Sequence, residues 1–209
     1  MTKLGVVMLL ATMVLVPPVY AAGDEKWVVE AYHRSMMYER VQKLDDAIKA
    51  LALVFESYPQ AYTINLRLGW LHYLAGRHAN SIEHYQRAIK AVPEAAEPRL
   101  GLALPLLAQQ KYVEAEEVLV QVLRTDFYNY YGNLRLLMAL RGQGKYKAAR
   151  VVSLRMLKIY PADVTFLAQL AALESLLGDK KRARNLYLSV YTLDPENVEA
   201  RAYLRSTEK

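Results

Sequence analysis

Residues 62–95 read YTINLRLGWLHYLAGRHANSIEHYQRAIKAVPEA. Leu66, Trp70 and Tyr73 stand three or four residues apart, and Ile82, Tyr85, Ala88 and Ile89 repeat that interval. Apolar side chains so spaced lie on one face of a helix. Gly76 separates the two stretches, and glycine supplies the left-handed backbone that ends a helix. Pro93 closes the second stretch because its ring cannot continue the hydrogen-bond ladder. The segment predicts a helix, a turn and a second helix in 34 residues.

The pattern recurs with neither insertion nor deletion. Pro59, Pro93, Pro161 and Pro195 lie on one 34-residue grid, with Phe127 in the remaining slot. Small residues fill a second column: Ala47, Ser81, Ala115, Ala149 and Ala183. A third holds Leu68, Leu102, Leu136 and Leu170 after Arg34, and a fourth holds Gly76, Gly144 and Gly178 with Gln42 and Gln110. A fixed period of this length is the mark of a solenoid. The units run 28–61, 62–95, 96–129, 130–163 and 164–197. After Pro195, Val198, Tyr203 and Leu204 begin another first helix, with Arg201, Arg205 and Lys209 keeping it soluble. Residues 198–209 are therefore read as a capping helix and tail that cover the last unit.

Leu68-Gly69, Gly76, Ser81, Tyr85, Ala88 and Pro93 in the second unit, and Leu170-Ala171, Gly178, Ala183, Tyr187 and Pro195 in the fifth, resemble the tetratricopeptide repeat (TPR). The resemblance spans residues 28–197. It implies an all-α, right-handed superhelical solenoid of five helix-turn-helix units plus the C-terminal cap. There are departures. The column usually held by Trp reads Ala31, Asn65, Arg99, Asn133 and Leu167, so the bulky knob is missing. Pro105 falls inside a first helix and predicts a kink. Phe127-Tyr128-Asn129-Tyr130-Tyr131 replaces the expected proline turn, either to fill the space a kink leaves or to meet a ligand.

In proteins of this family the first helices line a concave groove that holds a peptide. Position by position, the resemblance puts Tyr32 and Met36 in that lining, then Arg67, Trp70 and Tyr73 beside Leu66. Leu104 follows with Leu100 and Leu107, then Tyr131, Arg135, Met138 and Arg141. Aromatic, Met and Arg side chains are the types enriched at interfaces. The leucines fit either a ligand or the packing between units. Arg67, Trp70 and Tyr73 share a helix face, which predicts a cation beside two flat apolar surfaces. The Lys and Asn of the carboxylate-clamp members are absent, since Tyr32, Met36 and Arg67 occupy the matching positions.

The chain has 209 residues, 54% hydrophobic and 23% charged, a balance that suits one domain with a core and excludes a disordered or polytopic chain. It contains no cysteine, which removes disulfides, thiolate metal sites and a lipidated N-terminal cysteine. Lys3 precedes an uncharged run from Leu4 to Val16, then Pro17-Pro18 and Val19-Tyr20-Ala21. That layout predicts a signal peptide over 1–21, a short segment over 22–27 and an exported, periplasmic chain. The alternative is an inner-membrane anchor formed by residues 4–16, the one case in which a membrane contact is expected.

No catalytic pattern emerges. His33, His72, His78 and His84 occupy four different columns, and no metal-binding spacing links them. Gly142-Gln143-Gly144-Lys145 falls in a turn between helices and not after a strand, so it reads as the glycine column and not a phosphate loop. Neither cofactor, metal nor enzymatic activity is expected.

Charge is uneven. The total is +6, yet residues 130–163 hold seven basic residues against Asp163 alone. Lys145, Lys147, Arg150, Arg155 and Lys158 form a basic face, read either as a solvated helix surface or as a contact for an acidic partner. Nucleic acid is not expected for an exported chain. The sequence thus predicts a non-enzymatic adaptor that binds a peptide or protein in its groove during envelope assembly. A self-associating scaffold, or an assembly factor on a membrane surface, is the alternative.

Overall fold

The structure, a computed structural model, describes residues 25–207. The expected signal peptide over 1–21 lies outside the described residues. Among those described, every regular element is helical. The helices are α1 Glu25–Arg40, α2 Leu44–Lys49, α3 Ala52–Ser57, α4 Tyr62–Leu74, α5 His78–Ala91, α6 Glu97–Ala108 and α7 Tyr112–Thr125. They continue with α8 Tyr130–Gly142, α9 Tyr146–Leu157, α10 Val164–Leu176, α11 Lys180–Leu193 and α12 Val198–Ser206.

Five helix pairs stack in chain order, each packed within itself and against the first helix of the next. First helices also touch one another directly, α4 on α6 and α6 on α8, so they line the inner side of the stack. The turn column behaves as one: Gly76, Gly144 and Gly178 have φ of 71°, 73° and 92°, and Gln42 and Gln110 adopt 59° and 58°. A side chain at such an angle is strained by roughly 1–2 kcal/mol, so the two glutamines mark turns held by their surroundings.

The small column lies inside each pair. Ala47, Ser81, Ala115, Ala149 and Ala183 are fully buried. Ser81 also donates its hydroxyl to the Gly69 carbonyl, 2.7 Å away, which satisfies the one polar atom in the column. Ala149→Leu is expected to destabilise the chain by roughly 1–3 kcal/mol through overpacking. The exposed Lys147→Ala is expected to stay within about 0.5 kcal/mol. Denaturant midpoints of the two variants check this; equal midpoints would contradict the packing described.

One sequence expectation changes. The second helix of the first unit is broken into α2 and α3, because at Leu51 the backbone tightens to a bond with Ile48. In the third unit α6 runs as one helix through Pro105. Phe127 and Tyr128 lie in the turn between α7 and α8 and stand half exposed.

The cap forms as the sequence implies. Asn197 accepts from the Ala200 amide at the start of α12. Leu204 and Ala200 are buried on the last pair. The Tyr203 ring lies 4.5 Å from Tyr187, whose hydroxyl donates to Glu199. No helix of the described residues is long and apolar enough to cross a membrane.

Candidate peptide groove

The inner side carries a recess of about 470 Å³ between α4, α6 and α8. Leu66 and Trp70 form one wall, Leu104 the base of another, and Tyr131 and Arg135 the far side. One absent side chain opens it. Arg67, Gly101 and Arg135 share a column, and Gly101 leaves the middle slot vacant. A Cβ at Gly101 would lie 2.3 Å from the Tyr85 ring, which is buried beneath it. The glycine is thus required by Tyr85, and the recess follows from the glycine.

Arg135 is the cation of this recess. Its guanidinium donates to the Leu100 carbonyl at 2.6 Å and lies 5.5 Å from the Tyr131 ring centre. Burial pulls its pKa down, which means the positive charge there is poorly solvated. No carboxylate forms an ion pair with it among the described residues. Glu97 also borders the recess, and its carboxylate accepts from the Tyr62 hydroxyl at 3.0 Å. Burial, then that hydrogen bond, pushes the Tyr62 pKa up to about 12.

Arg67 is placed differently from the sequence expectation. It lies on the same helix as Trp70, but its guanidinium is 2.5 Å from Glu39 and also donates to Ser35. Glu39 further accepts from the Trp70 indole at 2.7 Å. Glu39 therefore ties α1 to α4 through both residues. Arg67 is neutralised within the chain, whereas Arg135 has no ion-pair partner among the described residues. The indole edge is fixed by Glu39, while 36% of Trp70 remains exposed.

Trp70, Leu104, Tyr131 and Arg135 meet in the recess. Tyr73 is adjacent, its ring 5.9 Å from Trp70. Met36 and Met138 are exposed outside it, and Tyr32 is half-buried against the first core. Arg141 donates to Gln169 of the next unit. Leu66 and Leu107 pack on the Tyr85 cluster and Leu100 on the Leu137 cluster, so packing accounts for those leucines, with Leu66 and Leu100 also bordering the recess.

The basic face is not a uniform solvated surface. Lys145 pairs with Glu116 at 2.8 Å. Arg150 and Arg182 close on the buried Glu174 at 2.9 and 3.1 Å, a carboxylate that would be uncompensated without them. Arg155 donates to Asn133 and covers the Phe127 ring at 4.0 Å. Lys147 and Lys158 form no ion pair among the described residues.

The missing Trp knobs have a purpose that the sequence did not disclose. Asn65 and Asn133 are buried and each amide spans two carbonyls of the preceding turn: Pro59 and Ala61, and Phe127 and Asn129, at 2.8–2.9 Å. Their oxygens meet His84 and Arg155. Among the described residues no group of three or more His, Cys, Asp or Glu side chains could hold a metal ion.

Two tetratricopeptide-repeat profiles match residues 38–96 and 72–135. Together with the helix pairs, they show that the chain is a tetratricopeptide-repeat protein. No curated protein matches it in sequence. Among solved structures it is similar to YrrB, described as a TPR protein with an unusual peptide-binding site. The identity is 13% and the TM-score 0.70, over 87% of this chain and 94% of that one. MamA from residue 41 onward, of Desulfovibrio magneticus RS-1, aligns with TM-score 0.76 at 16% identity, over 85% and 99% of the two chains. MamA of AMB-1 gives 0.66 at 20%, over 86% and 98%. At these identities the likeness is one of fold.

Proposed function

We propose that the chain is a non-enzymatic adaptor that holds a peptide segment of a partner protein against α4, α6 and α8. The observation that carries this reading is Arg135, a poorly solvated cation with no ion-pair partner among the described residues, set beside a recess walled by Trp70, Leu66 and Leu104. A segment with an apolar or aromatic anchor and an acidic group next to it matches both features. The anchor enters the space left by Gly101, and the acid meets Arg135. A peptide-binding protein of the same fold supports the class of ligand. On the sequence of residues 1–21 we place this adaptor outside the cytoplasm, where its task is envelope assembly.

Selection of binders from a random peptide library tests the reading. Enriched peptides are expected to carry an acidic residue within a few positions of an aromatic or aliphatic one. Arg135→Ala is expected to weaken them by about 1.5–3 kcal/mol, the range for a hydrogen bond to a charged group, with a reduced salt dependence. Enrichment of basic peptides, or affinity indifferent to Arg135→Ala, would overturn it.

A further inference from the structure

A second recess, of about 700 Å³, lies away from the groove, where the α7–α8 turn meets α9. Phe127 and Tyr128 form one wall, and α9 forms the other through Val151, Leu154 and Leu157. It is apolar and open: Phe127 is 48%, Tyr128 54% and Val151 58% exposed. A further recess of about 570 Å³ continues past the same Val151 and Leu154 toward α10 and Asp179. The two form one strip along α9.

The order of residues along that strip is informative. Lys147, Val151, Leu154 and Lys158 follow at intervals of four, three and four, which keeps them on one helix face. At 1.5 Å per residue they span roughly 16 Å. The strip therefore reads cation, apolar, apolar, cation. Both end lysines lack an ion pair among the described residues, unlike Lys145 and Arg150 beside them. Of the acids nearby, Glu174 is buried between two arginines and Asp179 caps α11. The uncompensated charge on this face is positive.

We infer that this strip is a second docking surface, which takes an acidic amphipathic helix of a partner protein. The complement has apolar side chains at two positions three apart, for Val151 and Leu154, and acids about one turn beyond each, for Lys147 and Lys158. A rod-shaped segment enters a walled recess, whereas a flat anionic bilayer does not reach its apolar floor. The Phe127 ring is held in place by the Arg155 guanidinium over it, which Asn133 fixes in turn and which also borders the recess. The surface does not depend on the groove. With both occupied, the protein would join two partners, one on each side of its fourth unit.

Fluorescence anisotropy on the purified full chain tests this, with three probes. One is a labelled helical peptide of about 18 residues, enough for the strip and one turn beyond it, carrying Leu and Glu in the complementary order. A second has Lys in place of each Glu. The third is a phosphatidylglycerol vesicle. The acidic peptide is expected to bind saturably. Binding should weaken about tenfold in Val151→Asp, as for a central contact, and less in Lys158→Glu, with a steeper salt dependence in the unaltered chain. Trp70→Ala should leave it unchanged, which separates this surface from the groove. Val151 is exposed, so Val151→Asp is expected to melt as the unaltered chain does. The inference is overturned if the acidic peptide does not bind, if the lysine peptide binds equally, or if Val151→Asp has no effect. Capture of vesicles alone, or self-association abolished by Val151→Asp, would assign the strip to a membrane or to a second copy instead.

Discussion

Acidification is expected to weaken the second unit more than any other part of the molecule. His72 and His84 lie between α4 and α5, both buried, with rings stacked 5.2 Å apart and nearly parallel. His84 also meets the edge of Phe55 and the side-chain oxygen of Asn65. Burial, with His72 and Arg87 close by, lowers the His84 pKa from 6.5 to about 4, and burial with Arg77 lowers that of His72. Both shifts are downward, so the folded chain holds fewer protons than the unfolded one below pH 6.5. The stabilisation is complete above that value and is lost as the pH falls toward 4. For His84 alone the loss is about 3 kcal/mol at the lower end. Urea midpoints from pH 7.5 downward measure it. His84→Val, which installs the residue of the third and fourth units at this column, is expected to be about 1 kcal/mol less stable at neutral pH, having lost the bond to Asn65. Its acid slope should be shallower. An unaltered slope would contradict the assignment.

Asn133→Ala is expected to cost about 3 kcal/mol, from two neutral hydrogen bonds and one to a guanidinium. The amide joins the start of α8 to the turn that precedes it, and its oxygen holds Arg155 on the Phe127 ring. Truncation leaves the Phe127 carbonyl without that donor. Met138→Ala, on the same helix but exposed, is expected to change stability by less than about 0.5 kcal/mol. Urea midpoints that place the two variants together would contradict this role.

The helix pairs, their turns and the cap were legible because each rests on a local rule read in register: glycine or a tolerant glutamine at positive φ, a small residue at the helix crossing, proline at the exit. The groove was legible in part. Column positions found Trp70, Leu104, Tyr131 and Arg135, because a repeat fixes where each side chain points. Partnership was not legible. Nothing in the spacing shows that Glu39 reaches from α1 to neutralise Arg67, a contact 28 residues away in sequence. Nor does spacing show that Glu174 consumes Arg150. Asn65 and Asn133 looked like an absent knob, since polar side chains at a core column announce themselves only once the turn carbonyls are in place. Gly101 did leave a signal. A glycine between two arginines of one column marks a place where space is kept open.

Trp70 is expected to face a ligand and not only its neighbours. Its indole is anchored to Glu39 and its ring touches Tyr73, yet a third of it is exposed at the recess. Affinity and melting temperature, measured together on Trp70→Ala with a peptide selected on the unaltered chain, decide the matter. The groove account predicts a loss of about 2 kcal/mol or more in binding, as for an aromatic hot spot, with melting little changed. A lower melting temperature with affinity intact in the folded protein would contradict it.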